Sequence, residues 1–345
     1  MGKCLVTKLN GAVANPSLLH IGEMRINIPY VNNPSKSTQE IELAFSKASD
    51  IKIIGDGYFT DETLSQNLGK VNGQVTNEKV YVSNSDCELS ISNKYNITTL
   101  ASNHEFDIED LKYSAGLYKL SSTMGVGDIS SLANKPSLSY LYLGSPLLTG
   151  DLSALKDAAL TYVNFSSAKI TGDLSNFKDK TLLTRLYLIN SPFVTGDFSA
   201  FANCTSLVHL QINCSQVGGD ISSLKNTQVR EVRLAQNGKQ QITGDIAKLP
   251  NGCYYLSFDN SSNTSLTWTS RDTSKTIIGI FGSPKVTNVD DLLTGMAQCT
   301  VSSYITSSSS SWLRTIAVTG TRTSASDAAV ATLQQKGYTV SVTPA

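Results

Sequence analysis

Histidine is nearly absent from this chain: three among 345 residues, at His20, His104 and His209 in three separate segments. That scarcity leaves little for general-base chemistry or a histidine metal centre, and His104-Glu105 is not extended into an HExxH pair. Charge is sparse and balanced, Lys+Arg 28 against Asp+Glu 28, with no basic run. The chain as a whole therefore has no electrostatic reason to bind nucleic acid or an anionic membrane. Six cysteines (Cys4, Cys87, Cys204, Cys214, Cys253, Cys299) lack CxxC spacing, so free thiols are expected rather than zinc or a redox pair. No stretch approaches the ~20 apolar residues of a membrane span. The opening Met1-Gly2-Lys3-Cys4-Leu5-Val6 lacks the apolar core of a signal peptide, and Val6 stands where myristoylation needs Ser or Thr. No nucleophile elbow, phosphate loop or dinucleotide fingerprint appears, so neither enzyme activity nor a cofactor is expected. Sequons such as Asn164-Phe165-Ser166 are expected by chance in a chain this rich in Asn, Ser and Thr.

What is present in abundance is one phrase: Gly127-Asp128-Ile129, Thr149-Gly150-Asp151-Leu152, Thr171-Gly172-Asp173-Leu174, Thr195-Gly196-Asp197-Phe198, Gly219-Asp220-Ile221 and Thr243-Gly244-Asp245-Ile246. Successive aspartates lie 23, 22, 24, 23 and 25 residues apart. A fixed period means a solenoid, and roughly 20 to 29 residues is the range of a leucine-rich repeat. Leucine spacing makes the same assignment: Leu138, Leu141, Leu143 and Leu148 precede one Gly-Asp, and Leu183, Leu186, Leu188 and Val194 precede another. The LxxLxL phrase is a short strand whose inward side chains stack on neighbouring rungs. Glycine supplies a turn that a Cβ would resist, and Asp-apolar-x-x-apolar opens the return segment. The phrase resembles the plant-type leucine-rich repeat, with Thr-Gly-Asp-Leu where that family carries Ser/Thr-Gly-x-Ile-Pro.

The ends depart from the repeat, as terminal rungs must. Asp107, Ile108 and Leu111 keep the spacing with Phe106 in place of glycine, and Cys253, Leu256 and Phe258 keep the strand spacing with no Gly-Asp after them. Residues 1–105 read as a β-rich N-terminal domain, with strands at Met24–Ile28, Ile41-Leu43-Phe45, Ile51–Ile54, Val80–Val82 and Leu89–Ile91. Ser37 and Glu40 match a capping box, but the alternation after them favours a strand. Residues 106–300 read as the solenoid. Residues 301–345 read as a small βαβ cap: strand Thr315–Val318, helix Ser326–Lys336 stopped by Gly337, strand Tyr338–Val342. The serine run Ser307–Ser311 before it is expected to be a loop.

Two surfaces compete for function. The aspartate column could chelate calcium, but one carboxylate per rung at a spacing of about 5 Å leaves an ion short of six to eight oxygens, so a turn-capping role is preferred. The x positions of LxxLxL project from the concave sheet: Tyr140 and Tyr142, Tyr162 and Asn164, Arg185 and Tyr187, His209 and Gln211, Glu231 and Arg233, Tyr255 and Ser257. Five of these are tyrosines, which suit protein interfaces and stack on sugars. A ladder of aromatics favoured by half-exposed strands explains them equally well. Glu231 is the only acid of the twelve, whereas a glycosidase needs two.

The opening Met1 to Gly11, with Leu18-Leu19-His20-Ile21-Gly22-Glu23-Met24-Arg25-Ile26, is similar to the start of virion structural proteins from crAss-like phages of gut Bacteroides. The Thr-Gly-Asp-Leu-Ser rungs and the ending Ala329 to Val340 also resemble leucine-rich-repeat proteins of those bacteria and their phages. This resemblance implies an N-terminal part anchored to other virion proteins, repeats facing outward toward neighbours or a host-surface glycan or protein, and no catalytic residues. It leaves a homo-oligomer in the particle open. A recognition module without an export signal is also what a virion protein, assembled in the host cytoplasm and released by lysis, would be. The rival expectation is a bacterial surface adhesin whose export signal has been removed.

Overall fold

The computed structural model describes residues 23–28, 38–55, 73–83, 87–92 and 94–345, apart from 167, 215, 236–240, 260–262 and 308–310. Each rung of the middle region runs through a short inner strand, a short outer strand and a 3₁₀ turn. In one rung these are Tyr140–Leu143, Leu148–Asp151 and Leu152–Leu155. Both strand series pair parallel with the next rung, for example Leu141 opposite Val163 and Gly150 opposite Ile170. The consensus leucines point between the two sheets: Leu138, Leu141, Leu143, Leu148, Leu152 and Leu155 are all fully buried. Each such side chain contributes about 2 kcal/mol of hydrophobic stabilisation, and the stack forms one continuous core. This is a leucine-rich-repeat solenoid.

The structure explains why the phrase is Thr-Gly-Asp. All seven aspartates from Asp107 to Asp245 are extended and cap the following 3₁₀ turn, accepting the N–H two residues on; Asp151 takes that of Ser153 at 2.8 Å and Asp197 that of Ser199 at 2.7 Å. This satisfies a donor that the turn itself leaves open. The six glycines all adopt positive φ, from 94° at Gly219 to 124° at Gly244. Each glycine also lies directly over the aspartate of the rung before, leaving no room for a Cβ. The threonine completes the contact, Thr195 reaching Asp173 Oδ2 at 3.2 Å and Thr171 reaching Asp151 Oδ2 at 3.3 Å.

A second column runs inside the opposite corner, two or three residues before the first apolar residue of each inner-strand phrase: Lys94, Ser114, Lys135, Ala158, Lys180 and Cys204, followed on the next rung by Thr227. Cations alternate with small side chains as far as Cys204. Lys135, 1% exposed, donates to the carbonyls of Lys112 (3.0 Å) and Ser114 (3.2 Å) in the preceding rung. Lys180 does the same to Ala158 (2.6 Å) and its neighbours, and Lys94 pairs with Asp110 (2.6 Å). The ammonium groups of Lys135 and Lys180 thus satisfy carbonyls released at the end of the preceding rung's 3₁₀ turn.

The N-terminal strands are β1 (Glu23–Ile28), β2 (Thr38–Gly55), β3 (Gly73–Ser83) and β4 (Cys87–Ser92). The two strands expected at Ile41-Leu43-Phe45 and Ile51–Ile54 are one: β2 runs through both, shifting register between Ala44 and Ser49 against β3. The shift lets one strand serve two neighbours. Its first half pairs with β5 (Ile97–Ala101) and its second with β4, both antiparallel. β5 is itself parallel to Lys119–Ser122, so this strand, ahead of residue 105, already stands in the repeat's ladder, with Ser102 and Ser122 replacing the third apolar residue. The N-terminal strands and the inner strands thus form one 15-stranded sheet among the described residues. Ser37 lies outside those residues.

At the other end Thr264–Thr267 takes the outer-strand place without Gly-Asp, Leu266 lying opposite Gly244. A further inner strand, Gly279–Phe281, follows, and its return segment is the helix α1 (Val289–Gln298). The next helix, α2 (Ser303–Ser307), contains the first residue of the serine run, and a 3₁₀ turn (Ser311–Arg314) holds its last; the residues between lie outside the description. Thr315–Thr319, α3 (Asp327–Gln335) and Thr339–Thr343 then extend the same sheet as a parallel strand-helix-strand unit.

Candidate concave binding face

The inner strands align the x positions in two columns. One holds Lys119, Tyr140, Tyr162, Arg185, His209, Glu231 and Tyr255; the other holds Ser121, Tyr142, Asn164, Tyr187, Gln211, Arg233 and Ser257. Side chains of one column are neighbours at rung spacing, so rings on adjacent rungs meet face to face. Tyr140 and Tyr162 stack with centroids 4.4 Å apart and planes 8° off parallel, and Tyr187 leans on Tyr162 at 5.9 Å and 54°. Lys119 closes this platform, its Nζ 5.7 Å from the Tyr140 ring centroid and 2.7 Å from Glu42 of β2. Burial raises the Tyr140 phenol above its ordinary value, with the neighbouring Tyr162 adding to the shift. Burial raises that of Tyr187 as well.

Beyond the platform the face becomes charged. Arg185 is exposed beside Tyr162 and His209 and makes no salt bridge among the described residues. Burial lowers the His209 pKa from its ordinary value, favouring the neutral ring. Glu231 is held from two sides, by Arg233 at 3.1 Å and by the hydroxyl of Tyr254 at 2.7 Å. Burial and then Glu231 push the Tyr254 phenol far upward, so it remains a donor.

Tyr255 departs from expectation. It stands in the predicted column but is only 5% exposed, because Trp312 packs edge-on against it at 4.7 Å. Arg233 lies over both rings, 5.5 Å from Tyr255 and 5.1 Å from Trp312, and Tyr304 stacks on Tyr254 at 4.8 Å. The segment after α1 thus folds across the end of the concave face and covers Tyr255. Ser257, 3% exposed, is buried as well. The open part of the predicted face is therefore Tyr140, Tyr142, Tyr162, Arg185, Tyr187, His209 and the rim of Arg233. Tyr304 and Trp312 escape sequence reasoning because they lie outside the strand phrase, and Tyr254 because it is the first x of that phrase, which precedes the concave pair.

Among the described residues no group of three or more His, Cys, Asp or Glu side chains is arranged to hold a metal, and no helix is long and apolar enough to cross a membrane. Burial pushes the thiols of Cys204 and Cys253 up to about 11.

No family model and no curated protein matches the chain. Solved structures do. An internalin (inlF) from Listeria monocytogenes is 20% identical with a TM-score of 0.44, over 71% of this chain and 73% of that one. An internalin C2 (inlC2) from the same organism is 23% identical with a TM-score of 0.38, over 51% of this chain and 83% of its own. The leucine-rich-repeat ectodomain of the plant membrane receptor kinase GASSHO1/SCHENGEN3 from Arabidopsis thaliana is 18% identical with a TM-score of 0.40, over 58% of this chain and 28% of the ectodomain. These likenesses extend to the fold, which the rungs establish on their own: this chain is built as a leucine-rich-repeat protein.

Proposed function

We propose that this chain is a non-enzymatic recognition protein of a phage particle surface, a head fibre, capsid decoration or tail-associated component. Its N-terminal sheet docks to other virion proteins, and its concave face binds a host-surface ligand. The observation that carries the binding half is the parallel stack of Tyr140 and Tyr162 with Tyr187 beside it and the unbridged Arg185 on the next rung. Flat ring faces at this spacing accept the apolar face of a sugar or a protein side chain, and a free guanidinium accepts an anionic group. Glu231, the one acid among the twelve positions, is engaged by Arg233 and Tyr254, which suits a structural role better than proton transfer.

The particle half rests on the resemblance of the first thirty residues to virion structural proteins. The sheet continuity through β2 and β5 fits an anchored module, since it joins the docking strands to the first rung without a linker.

Mass spectrometry of purified particles tests the location, and absence of the chain from them overturns it. Binding of the full chain to host cells and to a panel of acidic and neutral surface glycans tests the face. The Tyr140→Ala/Tyr162→Ala pair and Arg185→Ala should each reduce retention by about tenfold or more, with unchanged thermal unfolding for Arg185→Ala. Undiminished binding by both variants would remove the concave face from the proposal.

A further inference from the structure

The 15-stranded sheet ends on Thr339–Thr343, which pairs on one side with Thr315–Thr319 and on the other, among the described residues, with nothing. Exposed edges are usually blunted by a charge, a proline or a bulge. This strand, Thr339-Val340-Ser341-Val342-Thr343, has none within it. Its valines are half-buried, and beside them runs a groove lined by Gly320, Val330 and Pro344.

The strand reads the same in both directions about Ser341. We propose that it pairs antiparallel with the same strand of a second copy of this chain, across a two-fold axis midway between the two Ser341 residues. In that register Val340 stands opposite Val342 of the second copy, Thr339 opposite Thr343, and Ser341 opposite itself, so like meets like and no charge opposes a charge.

The hydrogen-bonding phase of the strand agrees. Thr343 gives its carbonyl to the N–H of Gly320 at 2.9 Å, on the side of Thr315–Thr319. Backbone groups alternate along a strand, so those of Thr339 and Ser341 also face inward while those of Val340 and Val342 face the open edge. An antiparallel pair forms only where opposed residues point the same way, and here Val340 and Val342 exchange both of their bonds. Ser341 is then a non-hydrogen-bonded pair with its symmetry mate, with Cα atoms about 4.5 Å apart. A strand of any other sequence could satisfy the backbone. The side-chain symmetry about Ser341 points to a second copy; the phase, which any self-pairing centred on one residue satisfies, fixes only which of the opposed pairs are hydrogen-bonded.

Cysteine cross-linking of the full chain reads this register. Cys204, Cys214, Cys253 and Cys299 are buried, and the unsubstituted chain sets the background for every native cysteine. Ser341→Cys should form a disulfide-linked dimer under mild oxidation, since about 4.5 Å is within disulfide reach. Thr339→Cys alone and Thr343→Cys alone should not, their symmetry mates lying about 14 Å apart, whereas an equimolar mixture of the two should. Light scattering should give twice the chain mass at high concentration, reverting to one chain mass in Val340→Lys/Val342→Lys with unchanged circular dichroism. Cross-linking of Ser341→Cys no greater than background, or of Thr339→Cys alone as readily as of Ser341→Cys, would overturn the proposal. So would a single chain mass for the unsubstituted protein at every concentration.

Discussion

Asp128 occupies the space that a side chain on Gly150 would need: a Cβ there would lie 2.6 Å from the carboxylate oxygen Oδ1. The glycine of one rung and the aspartate of the rung before it are therefore a single interlocking unit. Gly150 also sits at φ 116°, where L residues are strained. Gly150→Ala should cost about 3 kcal/mol, visible as a lower urea midpoint with unchanged slope. Adding Asp128→Ala should recover only part of this, because Ile129 also crowds the position and the φ strain remains.

The Asp151 cap loses its contribution to stability in acid. The Ser153 N–H, then the Ser153 hydroxyl, holds the Asp151 carboxyl below its ordinary 3.8 despite some burial, with Thr171 adding to it. A carboxyl whose folded pKa is depressed stabilises fully above the unfolded value and loses that contribution as pH falls through the folded one. The difference in urea midpoint between the unsubstituted protein and Asp151→Asn should be constant from neutral pH to about 5 and shrink below about 4. An equal acid decline in both proteins would refute this role.

Lys135 works in the opposite corner and in the opposite pH range. Burial lowers its pKa from 10.5 to about 8. The unfolded chain therefore binds the proton more tightly, so this group's contribution to stability is greatest above 10.5 and declines as pH falls toward 8. Lys135→Met keeps the stem but leaves the carbonyls of Lys112 and Ser114 without their donor. It should lose about 1–3 kcal/mol at neutral pH, and the deficit should widen between pH 8 and 10.5.

Trp312 reports on the covered end of the concave face. Trp268 is 2% exposed and Trp312 38%, so iodide quenching distinguishes them. Arg233→Ala removes the cation lying over both Trp312 and Tyr255. Trp312 emission should shift red and its quenching should increase, while the Trp268 component stays unchanged. Identical spectra would mean that the guanidinium does not hold the indole.

The rungs were legible because each carries three independent signals: a fixed period, the LxxLxL spacing, and a glycine whose positive φ is demanded by the turn. β5 was not, since Ser102 and Ser122 break the apolar pattern and its antiparallel partner β2 lies far away in sequence. β2 was misdivided because a register shift interrupts its alternation between Ala44 and Ser49. The two concave columns followed from period two alone. Their occupancy did not: Tyr255 has the strand position of an exposed residue, and only the later segment carrying Trp312 closes over it. A contact made across more than fifty residues leaves no trace in local spacing.

The alternation of Lys94, Ser114, Lys135, Ala158, Lys180 and Cys204 gives the stack a hidden phase. From Lys94 to Cys204 the translational unit at this corner is a pair of rungs, and it ends there, because the next rung carries Thr227, a second small side chain in succession. Duplicating or excising two adjacent rungs keeps every ammonium above a small side chain, whereas a change of one sets cation on cation or leaves two small residues facing a gap. Length variation between Lys94 and Cys204 should therefore proceed in steps of two.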